Sequence, residues 1–97
     1  MILRTVQMHF RPEAVSEFLQ LFEIHRDAIA GQPGCQWVHL IQSPEHPERM
    51  GTVSLWETRD ALDAYRMSAL FGTVWPATKS LFASRPHAES HRLLWSS

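Results

Sequence analysis

Cysteine is nearly absent: Cys35 is the one thiol among 97 residues, so no disulfide can close within the chain. A lone thiol suits a reducing compartment and points to the cytosol. Clusters of Lys or Arg are missing too, and nine basic against ten acidic side chains give a formal net charge of -1. That balance argues against nucleic acid or an anionic membrane surface as partner. No apolar run reaches the roughly 18 residues of a membrane span, and the opening MILRTVQMHFRPE lacks the apolar stretch of a secretion signal. The four glycines, Gly31, Gly34, Gly51 and Gly72, are too scattered to cradle a phosphate. His87 and His91 stand four apart in a segment that reads as strand, which separates them by roughly 13 Å, too far for one metal ion. No Ser occupies a nucleophile-elbow context, and Cys35 has no recognisable partner base, so it reads as a structural thiol. The absent ligand spacings point to a protein that needs no metal or flavin.

Aromatic residues are plentiful by contrast. Four Trp and five Phe are a large apolar payload for a chain that buries only roughly 60–65% of its unfolded surface. The excess points to burial by a second copy as well as by the chain itself. The length fits one domain over residues 1–97.

Ile2 to Phe10 alternates Ile2, Val6, Met8 and Phe10 with Leu3, Thr5, Gln7 and His9, the period of a strand. Pro12 stands where a helix can begin. From there to Ala30, Val15, Phe18, Leu19, Phe22 and Ile29 follow helical spacing, and Leu21, Ile24 and Ala28 form a second apolar patch beside them. The apolar arc is roughly twice the usual 100°, which predicts a cover besides the helix's own sheet. Gly31-Gln32-Pro33-Gly34 is a stop. Cys35 to Gln42 reads as a second strand with Trp37, His39 and Ile41 on one side and Val38 and Leu40 on the other. The two prolines of Ser43–Glu48 make that segment a hairpin loop. Met50 to Glu57 reads as the third strand, with Thr52, Ser54 and Trp56 sharing a face. Thr58 is a candidate N-cap for a helical region from Arg59 to about Phe82, expected to break around Gly72 and Pro76. His87 to Trp95 reads as the last strand. The order β-α-β-β-α-β is the split-βαβ pattern of a ferredoxin-like α+β domain with an antiparallel sheet.

Two stretches resemble a known family. Pro33-Gly34-Cys35 opening the second strand, then Thr52-Val53-Ser54-Leu55-Trp56-Glu57-Thr58 leading into Ala61-Leu62, resembles the antibiotic-biosynthesis monooxygenase (ABM) family. Tyr65-Arg66-Met67-Ser68, Phe71, Trp75-Pro76-Ala77-Thr78-Lys79 and Leu81-Phe82 are similar to a bacterial branch of it, as are Arg4, Val6, Pro12 and Glu13. The resemblance implies a homodimer whose sheets pack face to face as a dimeric α+β barrel, with a pocket between sheet and helices in each subunit. One branch of the family oxidises aromatic polyketides with O₂ and no metal or flavin. Its strand-three tryptophan matches Trp56, but its asparagine four residues earlier is Thr52 here and its tyrosine six residues later is Leu62. A haem-degrading branch uses an axial histidine nineteen residues past that tryptophan, where this chain has Trp75; the aromatic it uses nine positions past is represented by Tyr65.

Metal-free oxygenation needs an electron-rich phenol or hydroquinone, a site that stabilises its oxyanion, and exclusion of water once reactive oxygen forms. Trp56, Tyr65, His39 and Arg66 are the candidate catalytic residues, with His39 as base because histidine titrates near neutral pH. Thr52, Ser54, Trp37 and Trp75 are the candidate substrate-binding residues. Each also admits a plainer role: Trp56 as a core ring, Tyr65 as packing, Arg66 as an ion-pair partner of Glu57 or Asp63, His39 in a dimer interface. The expected function is a cofactor-independent monooxygenase acting on a small aromatic ligand. The alternative is a non-catalytic dimeric module that binds a small ligand, and haem oxygenation is a third, weaker reading.

Overall fold

The alternation at the start of the chain does form a strand, β1 (Ile2–His9), in the computed structural model, which describes residues 1–97. Pro12 opens a single 3-10 turn, Pro12–Ala14, and the chain continues into α1 (Val15–Ala30). β2 (Cys35–Gln42) and β3 (Arg49–Trp56) flank the proline-bearing loop. The Thr58 hydroxyl accepts the Ala61 N–H at 3.1 Å and caps α2 (Arg59–Arg66). A third helix, α3 (Ala69–Lys79), and β4 (His87–Arg92) complete the chain.

The break in the second helical region falls at Met67–Ser68, not around Gly72 and Pro76, which both lie inside α3. Ser68 explains the difference. Its hydroxyl donates to the Tyr65 carbonyl at 2.6 Å and accepts the Phe71 N–H at 3.2 Å, ending one helix and capping the next. Pro76 withholds an N–H from the carbonyl of Gly72, yet α3 runs through both residues. β4 is shorter than the sequence pattern suggested, and Leu94 and Trp95 beyond it are exposed.

The sheet order is β2-β3-β1-β4, every neighbouring pair antiparallel, which is the ferredoxin-like arrangement. Register fixes the two faces. Val38, Ser54, Arg4 and Ser90 form one row across the sheet, on the face that the helices cover. Trp37, Leu55, Leu3 and His91 form the adjacent row on the other face, which no helix covers. An irregularity at Gln36 pairs Cys35 with Trp56 and Trp37 with Leu55, so two residues that plain alternation puts together end on opposite faces. Gly34 holds the entry to β2 at φ 81°, and a Cβ there would come within 2.5 Å of the Ala61 Cβ. Glycine thus lets β2 start hard against α2.

The core is Met8, Phe10, Ala14, Phe18, Met50 and Leu81 between β1, β3 and α1. Phe10 stacks on Phe18 with centroids 4.3 Å apart. Along α1, Phe18 and Ile29 are buried, whereas Ile24 is 75% exposed and Leu19 is also exposed. Of the second apolar patch, Leu21 is half-buried while Ile24 and Ala28 are exposed.

Candidate active site

Between the covered sheet face and the three helices lies a cavity of about 230 Å³. Period two in β3 aims Thr52, Ser54 and Trp56 into it, and β1 contributes Arg4, Val6 and Met8. α1 adds Phe18, Phe22 and Ile29; α2 adds Leu62, Tyr65 and Arg66; α3 adds Phe71, Val74, Trp75 and Thr78. The rings form one connected wall. Trp56 stacks on Tyr65 at 5.1 Å and 19°, Phe71 meets Tyr65 edge-on at 5.3 Å, and Trp75 stacks on Phe71 at 5.8 Å. Such offset and edge contacts each add roughly 0.5–1.5 kcal/mol beyond area burial, so the wall is stiff.

The polar groups inside that wall are few and their hydrogen bonds identify their roles. The Trp56 indole N–H, on a ring only 1% exposed, donates to the Ser54 hydroxyl at 3.0 Å. That donor is therefore spent within the protein, and Ser54 presents what remains of its hydroxyl to the cavity. Thr78 donates to its own helix at the Val74 carbonyl, 2.8 Å away. Burial, and secondarily the neighbouring Cys35, push the Tyr65 phenol up to about 12. It stays protonated at neutral pH, so it can donate a hydrogen bond but is not a base. Burial likewise raises the Cys35 thiol, against a weaker opposing bond to the Trp37 carbonyl, which leaves it a poor nucleophile.

The structure gathers Trp56, Tyr65, Arg66, Thr52, Ser54 and Trp75 around this one cavity. It does not bring Trp37 or His39 there. Both stand on the uncovered face, where Trp37 and His39 contact each other edge-on at 4.6 Å. The reason is register: Trp37 and His39 face Leu55 and Val53, whereas Val38 and Leu40 face Ser54 and Thr52. His39 cannot act as base in this cavity from that position. Arg66 makes no ion pair with Glu57 or Asp63. Arg4 is the site residue that sequence reasoning missed. Its signal was present, since it interrupts an otherwise apolar row of Ile2, Val6 and Met8 on the same strand face.

The fold and the cavity define a ferredoxin-like α+β protein with an aromatic-walled chamber between sheet and helices. A family model described as antibiotic biosynthesis monooxygenase matches residues 1–74, and the chain belongs to that family. No curated protein matches the sequence. Among solved structures, an antibiotic biosynthesis monooxygenase superposes with a TM-score of 0.90 at 19% identity, covering 97% of this chain and 99% of its own. A candidate enzyme of the same description from Nitrosomonas europaea gives 0.91 at 17% identity over 98% of this chain and 100% of its own. Another from Bordetella bronchiseptica gives 0.83 at 25% identity, covering 97% of both chains. No helix is long and apolar enough to cross a membrane.

Proposed function

We propose that this chain is a homodimeric, cofactor-independent monooxygenase that oxidises a small phenolic or quinol compound with O₂. The observation that carries the reading is the chamber itself: a connected aromatic wall of Trp56, Tyr65, Phe71 and Trp75 beside a floor with few, specific polar groups. An engineered apolar cavity of about 150 Å³ already holds benzene, so this one suits one or two fused rings. For a phenol with a free para position the reaction balances without a reductant. One oxygen atom enters the ring to give the quinone, the other leaves as water, and the substrate supplies all four electrons. Tyr65 and Thr52 would donate hydrogen bonds to the ring oxygen as negative charge develops there.

Family membership supports the dimer, and so does the bare sheet face with Leu3, Trp37, Ile41, Val53 and Leu55 on it. A second copy laid on that face would cover it while leaving each chamber under its own helices. The chamber lining supplies no His, and Trp75 stands in the wall where the haem-degrading branch has its axial histidine, which argues against haem by that route. One observation favours the alternative, a non-catalytic ligand-binding dimer: with His39 on the other face, no lining side chain titrates near neutrality to serve as base.

Oxygen uptake in air with a panel of phenols and hydroquinones separates the two. The monooxygenase reading predicts one O₂ consumed per quinone formed from a phenol, with no added metal or flavin. Binding of panel members without uptake above the protein-free rate would leave the binding module standing instead.

A further inference from the structure

The chamber carries two cations and no anion. Arg4 rises from the floor, in register between Ser54 on β3 and Ser90 on β4, and Arg66 comes from α2 above it. No Asp or Glu lines the cavity, and neither arginine has a carboxylate within ion-pair distance. The one side-chain partner of Arg4 is the Ser90 hydroxyl, which accepts from its Nη1 at 3.0 Å. A guanidinium has five N–H donors in a planar fork, so most of its capacity is left for something in the cavity.

We propose that the chamber takes an aromatic oxyanion, a ring bearing a carboxylate or an ionised hydroxyl, with the oxyanion held on the fork of Arg4 and the ring against Trp56 and Tyr65. The inference rests on the proposed ligand chamber and specifies which charge its ligand bears. Burial is the main cause that lowers the pKa of Arg4, followed by Arg66 and then Arg59, with Asp63 opposing. The fold therefore holds this cation at a cost that an incoming anion relieves. A neutral ligand of the same shape would leave the fork unpaired behind it. The Arg4 guanidinium would favour the ionised form of a phenol held on its fork, against the burial that raises Tyr65 in the same chamber.

The test compares benzoate with benzamide and 1-naphthoate with 1-naphthamide, isosteric pairs that differ in charge. Binding is read calorimetrically at neutral pH on the parent, Arg4→Met and Arg4→Lys proteins. The parent is expected to favour the anion of at least one pair by roughly tenfold or more, the size of a charge-assisted hydrogen bond. Arg4→Met erases the preference while amide binding and the circular dichroism spectrum persist, and Arg4→Lys restores part of it. Equal affinity for both members of each pair, no binding of any of the four, or an anion preference that survives in Arg4→Met overturns the proposal. Oxygen uptake is recorded in parallel. Arg4-dependent anion binding without uptake by phenolic substrates sinks the monooxygenase reading alone, and uptake without any anion preference sinks this one alone.

Discussion

The two faces of the sheet are built from the same four strands and differ in almost everything else. The covered face presents Val6, Met8, Trp56 and Arg4 to three helices and encloses a chamber. The bare face carries an apolar centre of Leu3, Val53 and Leu55, flanked by Trp37 and His39 on β2 and by His87, Glu89 and His91 on β4. Only period-two alternation separates the two sets, so neighbours along one strand serve opposite purposes. A residue's face, more than its type, decides its role here: Trp56 is a chamber wall and Trp37, on the next strand, is not.

Substitutions on the two faces should therefore fail in different ways. Trp56→Ala removes a ring that is 1% exposed and strands the Ser54 hydroxyl, so a loss of about 3–5 kcal/mol in chemical denaturation is expected. A loss below about 1 kcal/mol would mean the covered face is not the structural core. On the bare face, Val53→Glu places a carboxylate at the middle of a central strand, opposite Thr5 and His39. It should weaken the proposed dimer at least roughly a hundredfold in sedimentation, as expected for an unpaired buried charge, while the monomer stays folded. A parent protein that sediments as a stable monomer at micromolar concentration removes the bare face from any assembly role.

Smaller changes sharpen the contrast. Tyr65→Phe deletes one hydroxyl inside the chamber with little change of volume, so stability should hold while binding or turnover falls about two- to twelve-fold. At the edge of the bare face, the Glu89 carboxylate is bonded by His87 Nε2 at 2.6 Å and His91 Nε2 at 3.1 Å. The hydrogen bond from His87 is the main cause that lowers its pKa from the ordinary 4.5, followed by the charge of His87. A carboxylate whose folded pKa is depressed adds stability above its ordinary value and loses it as pH falls through the lowered one. Glu89→Gln should therefore differ slightly from the parent in thermal midpoint above pH 4.5, a gap that closes on acidification. A gap that widens instead would show that Glu89 acts through something other than its ionised form.

Much of this architecture was legible in the residues. Alternation places β1, β2 and β3 to within a residue, and the stop at Gly31–Gly34 fixes the end of α1, whose start lies three residues past Pro12 because a 3-10 turn intervenes. The break between α2 and α3 was misplaced because Gly72 and Pro76 are strong breakers in general, while a serine cap at Ser68 is a quiet signal. The candidate site was legible within each strand and lost between strands. Period two groups Thr52 with Trp56, and Trp37 with His39, but it does not say which group of one strand shares a face with which group of the next. That depends on register, and here also on the irregularity at Gln36, which no local pattern announces. Spacing alone makes His87 and His91 a pair too far apart for one metal ion. The carboxylate between them joins both rings into one hydrogen-bonded cluster.

The division of labour between the faces is open to one direct measurement, because each face has its own tryptophan. The indole N–H resonances of Trp56 and Trp75 report on the chamber and that of Trp37 on the bare face. On titration with 1-naphthoate, the Trp56 and Trp75 signals should shift saturably and together, while Trp37 stays where it is. A saturable shift confined to Trp37, with Trp56 and Trp75 unmoved, would put the ligand on the wrong face and contradict the account.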